Sequence, residues 1–232
     1  VVLRGVVFDL FGTLVEGWGQ QTAQAKTAEI AEILGVSVPG LRELMLSTYT
    51  QRATGEFGPP AEMLQRMCQM MGSRPSQAAL ARGAERRVGQ FYEVLREPRP
   101  EVRSLLAVLR DRSIRIGMIS DCSAETPLLW ERLSWTRPIQ APVFSWTEGM
   151  RKPAQPLYRR VCLGLELDPS ECLYLGDGGS HELSGAEAAG MASRRISHPR
   201  PDGQDLLQYD PDPDWTGETV STLSQILPLL GR

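Results

Sequence analysis

Four carboxyl, hydroxyl or ammonium side chains stand just past apolar runs in this chain, and a fifth follows one of them. Asp9 closes "GVVFDL", Ser120 closes "IRIGMIS", Lys152 lies in "EGMRKPAQPLY" after the run "APVFS", and Asp177 closes "CLYLGD" with Glu182 five residues further on. A carboxylate such as Asp9, followed by Gly12-Thr13 and the N–H groups of a turn, suits a nucleophile or a metal ligand; a capping aspartate has the same pattern. Ser120 alone fits an N-cap equally well. Lys152 precedes a helix start, where the helix dipole disfavours a cation, so an anion sharing its site would explain it. Asp177 and Glu182, brought together by "DGGSHE", suit a hard divalent cation with oxygen ligands, above all Mg2+; a capping box around Ser180 is the plainer alternative.

Whatever their role, these residues need a scaffold that brings distant strand ends together. Short apolar runs at 5–10, 114–120, 141–145, 172–177 and 191–197 resemble buried parallel strands. Helical patterns at 100–111, 154–166, 181–190 and 221–231 alternate with them. Such alternation implies right-handed crossovers and an α/β Rossmann-like, doubly wound parallel sheet, with ligands bound beyond the carboxyl ends of the strands. From Glu16 to Arg96 the alternation stops. Only helical stretches occur there, at 22–35, 41–55, 61–72 and 77–97, so an all-α cap domain over 16–96 is expected, inserted in a core made of 1–15 and 97–232. The Pro- and Asp-rich stretch 198–217 is expected to be an irregular surface excursion.

Composition narrows the function classes. The chain has 232 residues, 41% of them hydrophobic, enough for a sizeable core. A net charge of -3 without blocks of like charge gives no footprint for nucleic acid or an acidic membrane. Four cysteines without a CxxC pair or zinc-ligand spacing fit a reducing cytoplasm, as does an opening run with no leader-like segment. Of 25 basic residues only Lys26 and Lys152 are lysines, which singles out Lys152. The expected partner is a small molecule. Oligomeric state is not legible.

Taken together, Asp, Ser, Lys and Asp-Glu in this order resemble the four motifs of the haloacid dehalogenase-like hydrolases: "DLFGT", "MISDCS", "RKP" with Tyr158, and "GDGGSHELSGA". The helical insert resembles that family's first-type cap. The resemblance implies that Asp9 is the nucleophile, forming a covalent intermediate, and that Mg2+ is held by Asp9, the backbone carbonyl of Phe11, Asp177 and Glu182. It implies that Ser120 and Lys152 grip the transferring group, with Gly12, Thr13 and Asp121 adding contacts; asparagine is more usual at the position of Asp121.

One departure matters more. Phosphatases of the family usually carry a second aspartate two residues after the nucleophile, to protonate the leaving oxygen and activate water, a service worth roughly 10²–10⁴-fold. Here that residue is Phe11. An aromatic residue there resembles the family's 2-haloacid dehalogenases, whose halide leaves unprotonated, but those enzymes lack the acidic pair that Asp177 and Glu182 keep. The pair favours a Mg2+-dependent hydrolase of a small phosphomonoester. The alternatives are a 2-haloacid dehalogenase and a weakly catalytic binding protein on the same scaffold. Candidates for the missing acid are His181, Asp121 and Glu148. Among Arg42, Arg52 and Arg74, Arg52 is the preferred cap-side contact to an anionic substrate; the tryptophans are expected in the core or at interfaces, with the cleft as an alternative place for Trp18.

Overall fold

The computed structural model describes residues 2–198, 212–213 and 215–231. Six parallel strands form one sheet in the order β3-β2-β1-β4-β5-β6, with β1 at Gly5–Phe8, β2 at Arg115–Ser120, β3 at Ala141–Phe144, β4 at Cys172–Gly176, β5 at Ala192–Ile196 and β6 at Thr219–Val220. Period-two alternation decides which face each residue serves. Val6 and Phe8 enter one apolar cluster with Ile116, Met118, Leu173 and Leu175, while Val7 enters the other with Ile119 and Tyr174. Both faces are covered by helices, so β1 and β4 are buried along their whole length and lack a polar stripe.

Along the core the helices are α6 (Val102–Asp111), α7 (Glu125–Trp130), α8 (Ser145–Glu148), α9 (Gln155–Leu165) and α10 (Glu182–Ala188). In α6 the residues Val102, Leu105, Leu106 and Leu109 recur at helical spacing and bury one stripe on the sheet. The helix expected over 221–231 is instead a 3-10 helix at Leu223–Leu229. Pro228, which has no N–H to give, stands inside it. Strand β6 had no signal beyond two residues. The expected excursion at 198–217 lies for the most part outside the described residues.

Between β1 and α6 come α1 (Gln20–Leu34), α2 (Val38–Ser47), α3 (Tyr49–Ala53), α4 (Pro60–Met70) and α5 (Gln77–Leu95). They hold an apolar cluster of their own, with Ile30, Leu34, Leu41, Met63, Leu64, Met67 and Leu80. The run expected as one helix over 41–55 is divided, because Thr48 leaves helical geometry. Helix α5 reaches both regions: Leu80 packs in the helical cluster and Leu95 in the sheet cluster. At 19 residues it spans about 28 Å. Its C-terminal half therefore lies against the carboxyl edge region that positions the site.

Candidate active site

Register brings the strand-end residues together. Phe8 pairs with Met118 on β2 and with Leu175 on β4, so Asp9, Ser120 and Asp177 emerge at the same edge. The turn after Asp9 closes on Leu10, whose carbonyl accepts from the N–H groups of Leu14 and Val15, both at 2.9 Å. Thr13 is thereby turned inward, and its hydroxyl donates to Asp9 Oδ2 at 3.3 Å. Gly12 has φ +85°, and a Cβ there would stand 2.2 Å from Asp177 Oδ2. A Cβ on Gly176 would stand 2.1 Å from Glu182 Oε1. Two glycines thus make the space that two carboxylates occupy.

At the centre is Lys152. Its ammonium donates to Asp9 Oδ1 at 2.5 Å and also to Glu182 Oε2. Glu182, fully buried as the first residue of α10, further accepts from Tyr174 Oη at 2.8 Å and Gly178 N at 2.9 Å. Asp177 accepts from Gly179 N at 3.1 Å. Asp9, Asp177 and Glu182 each offer an oxygen, all within 4.8 Å of one another. Burial pushes the Asp9 carboxyl well above its usual range against the pull of Lys152, and the Glu182 and Asp177 charges push the same way. For Lys152 burial acts downward, but Asp9 and Glu182 outweigh it and hold the ammonium charged. Three carboxylates against one ammonium leave a formal charge of -2 when all are ionised. The oxygen donors and that charge fit one hard divalent cation such as Mg2+, which would let Asp9 remain a carboxylate.

Ser120 is fully buried, and among the described residues its Oγ has no nitrogen or oxygen partner, only the Cys122 thiol within reach. Asp121 is occupied on both oxygens, accepting from Lys152 N at 3.0 Å and from Arg151 Nε at 3.2 Å. Arg151 also reaches Ser180 Oγ at 3.2 Å and Thr50 Oγ1 at 3.0 Å, and lies over the Tyr49 ring. One side chain so ties the loop of Lys152 to the turn after β4 and to α3. Nothing local in "MRKP" marks Arg151 for this, because its partners lie 29 to 101 residues away.

The model of the haloacid dehalogenase-like hydrolases matches residues 3–190. The chain belongs to that family. Solved structures agree on the fold. A 2-haloacid dehalogenase from Pseudomonas syringae pv. tomato is 22% identical, with a TM-score of 0.70 over 98% of this chain and 97% of that one. Another dehalogenase is 19% identical, with a TM-score of 0.61 over 99% and 98%. A family enzyme from Bacteroides thetaiotaomicron, solved as a magnesium complex, is 17% identical, with a TM-score of 0.63 over 88% and 96%. Among curated proteins none matches the chain.

In this haloacid dehalogenase-like hydrolase a cavity of about 100 Å³ is lined on one side by Phe11 and Asp121, two residues after Asp9 and one after Ser120. Its wall is mostly apolar, with Trp18 packed on Phe91 at 4.7 Å between ring centres and Phe11 meeting the same ring edge-on. Arg42 and Arg52 line it, as does Arg87. Arg52 is buried on α3 and donates to Met45 O at 2.5 Å. Arg74 is exposed and stands apart from this cavity. Of the acid candidates, His181 turns toward Asp212, with 3.6 Å between Nδ1 and Oδ1, and Glu148 faces Arg160 at 3.8 Å; neither lines the cavity.

Sequence reasoning missed Arg87 and Glu125. Arg87 Nε pairs with Glu125 Oε1, and Glu125 Oε2 accepts from Ser123 Oγ, all buried. The pair joins α5 to the start of α7 beside the cavity. A signal existed: Leu80, Gly83, Arg87 and Gln90 lie at helical spacing on one stripe, so the stripe carries a charge where an apolar residue would be expected.

Proposed function

We propose that the protein hydrolyses a small phosphomonoester with Mg2+, through a phosphoryl intermediate on Asp9. The observation that carries this reading is the meeting of three carboxylates at the strand ends, buried Asp9 and Glu182 gripping Lys152 and half-buried Asp177 beside them. Asp9, Asp177, Glu182 and the backbone carbonyl of Phe11 would hold the ion. When bound, the ion neutralises charge on the phosphoryl oxygens and on the carboxylate that faces them. Asp9 attacks phosphorus, the Asp9–phosphorus bond forms and the ester oxygen departs with its electron pair. Thr13 and Lys152 orient the attacking carboxylate, and the hydroxyl of Ser120 and the ammonium of Lys152 donate to the phosphoryl oxygens. Asp121 holds the backbone of Lys152 in place. Water then attacks phosphorus and frees Asp9. The helical segment 16–96 acts as the cap that excludes bulk water.

Phosphate release from a panel of phosphomonoesters, with Mg2+ or with chelator, tests this reading with Asp9→Asn as control. Release that requires both metal and Asp9 is expected. Release that ignores either one overturns it.

Phe11 and the apolar cavity beside it favour a second reading, hydrolysis of a 2-haloacid, with Arg52 receiving the substrate carboxylate. Metal-independent halide release without phosphate release would establish that reading instead. All four cysteines are unbridged, which supports a reducing compartment, and we assign the protein to the cytoplasm. No helix among the described residues is long and apolar enough to cross a membrane. The partner is a small molecule, with no role for nucleic acid.

A further inference from the structure

We propose that the substrate is a phosphate ester of an acidic hydroxyl, aryl or enol in class, whose apolar body lies in the cavity between Phe11 and Phe91. The inference rests on the phosphohydrolase reading and names what that site accepts.

Two observations converge on it. The first is that, among the described residues, none of those lining the cavity is a group able to protonate a leaving oxygen. Phe11, two residues after Asp9, lines the cavity with a ring that has no proton to give. The polar residues around it do not replace that acid. Both oxygens of Asp121 are engaged by Lys152 N and Arg151. Tyr49 and Cys122 are buried, and burial pushes the phenol up and the thiol up to about 12. The remaining titratable groups are guanidiniums, which do not release protons at ordinary pH. An ester oxygen that leaves here leaves as an anion, so its conjugate acid must be acidic.

The second observation is the character of the wall. Phe11, Trp18 and Phe91 present ring faces and edges suited to a flat apolar body. Arg42, Arg52 and Arg87 line the cavity with them, and the buried Nε of Arg42 has no hydrogen-bond partner among the described residues. Such cations stabilise a departing oxyanion without transferring a proton. A sugar phosphate would set several hydroxyls against the rings and leave an alkoxide unprotonated. An aryl or enol phosphate does neither.

The bond changes balance without an acid. The Asp9–phosphorus bond forms, the phosphorus–oxygen bond of the ester breaks, and the aryloxide or enolate carries off the electron pair. Water then adds to phosphorus, Asp9 returns as carboxylate, and the water's proton passes to phosphate or solvent. Phe11 cannot activate that water either, so breakdown of the phosphorylated enzyme limits turnover.

Steady-state and pre-steady-state kinetics on nitrophenyl, phenyl and alkyl phosphates, with saturating Mg2+, test the inference. We expect kcat/KM to be about 10²–10⁴-fold lower for alkyl than for nitrophenyl esters, the size of the missing acid's contribution. A burst of nitrophenolate equal to the enzyme present, with a phosphoryl group on Asp9 seen by intact-protein mass, should accompany it. In folded Phe11→Asp the alkyl esters should gain most and the burst should vanish. Equal kcat/KM across the series, within about tenfold, would overturn the inference and leave the phosphohydrolase reading intact. No phosphate from any ester would instead overturn that reading, and the inference with it. Should Phe11→Asp not fold, the wild-type series still decides.

Discussion

The floor and the wall of the site solve opposite problems of buried charge. On the floor, Asp9 and Glu182 grip one ammonium and Asp177 adds a third carboxylate beside them. On the wall, Arg42, Arg52 and Arg87 stand among aromatic rings, Arg87 paired with Glu125. Charge buried without balance is costly. On the function proposed above, the contrast matches what each region receives: a cation below, an anion with an apolar body above. Phe11 follows Asp9 by two residues in the chain and turns its ring to the wall.

The largest effect should come from the floor. Asp9→Asn keeps the shape and the bond from Thr13 but removes the nucleophile, and phosphate release should fall to background. Persistent turnover in that variant would mean that the floor is not where the reaction occurs. Lys152→Met should also abolish release, and it tests the charge count directly. With the ammonium gone, three carboxylates face one another, at a cost of about 3–5 kcal/mol as for other broken buried pairs. Mg2+ should restore more thermal stability to this variant than it adds to wild type. Equal shifts in Tm for both would contradict the assignment of a cation to this cluster.

The wall should respond in stability more than in chemistry. Arg87→Met leaves Glu125 buried and unpaired and should cost about 3–5 kcal/mol in urea unfolding. Replacing both residues by Met should cost clearly less than the sum of the single changes, because the pair is coupled. Additive losses would show that Arg87 and Glu125 act separately. A smaller change is expected for Gly176→Ala, whose new Cβ meets Glu182 Oε1. About 1–3 kcal/mol of stability should be lost, with weaker Mg2+ binding by titration calorimetry. Unchanged stability and affinity would mean that Glu182 has freedom the structure does not give it.

The difference between floor and wall also governs what could be read from the sequence. Asp9, Ser120 and Asp177 announce themselves because a buried strand needs an unbroken apolar run, and a polar residue at its end is conspicuous. The helical insert was legible because its apolar residues keep helical spacing over long stretches. Arg87 left a sign on its helical stripe, but its pairing with Glu125, and Arg151 with its three partners, were not legible, since such contacts depend on how the helices lie against the sheet edge. Tyr49 was missed for the same reason: its hydroxyl reaches Asp121 O across 72 residues. The 3-10 helix at Leu223–Leu229 carries apolar residues that suit either helix type, and only Pro228 hinted at the tighter one.

The smallest effect concerns pH and isolates the wall from the floor. Burial acts to raise the carboxyl of Glu125, but the charge of Arg87 and the bond from Ser123 outweigh it and hold it below its ordinary value. A carboxyl held lower in the folded state than in the unfolded chain binds fewer protons when folded. Its contribution is therefore complete above the ordinary carboxylate range, near pH 4, and is lost as pH falls through the lower folded value. Glu125→Gln should be less stable than wild type at neutral pH, and the gap should narrow on acidification from about pH 5 to 3. Comparing the two proteins at each pH subtracts Glu29 and Glu93, whose carboxyls are also held low but are present in both. A gap that stays constant over that range would mean that Glu125 is not held as an anion. The wall would then lack the charge pair on which its contrast with the floor depends.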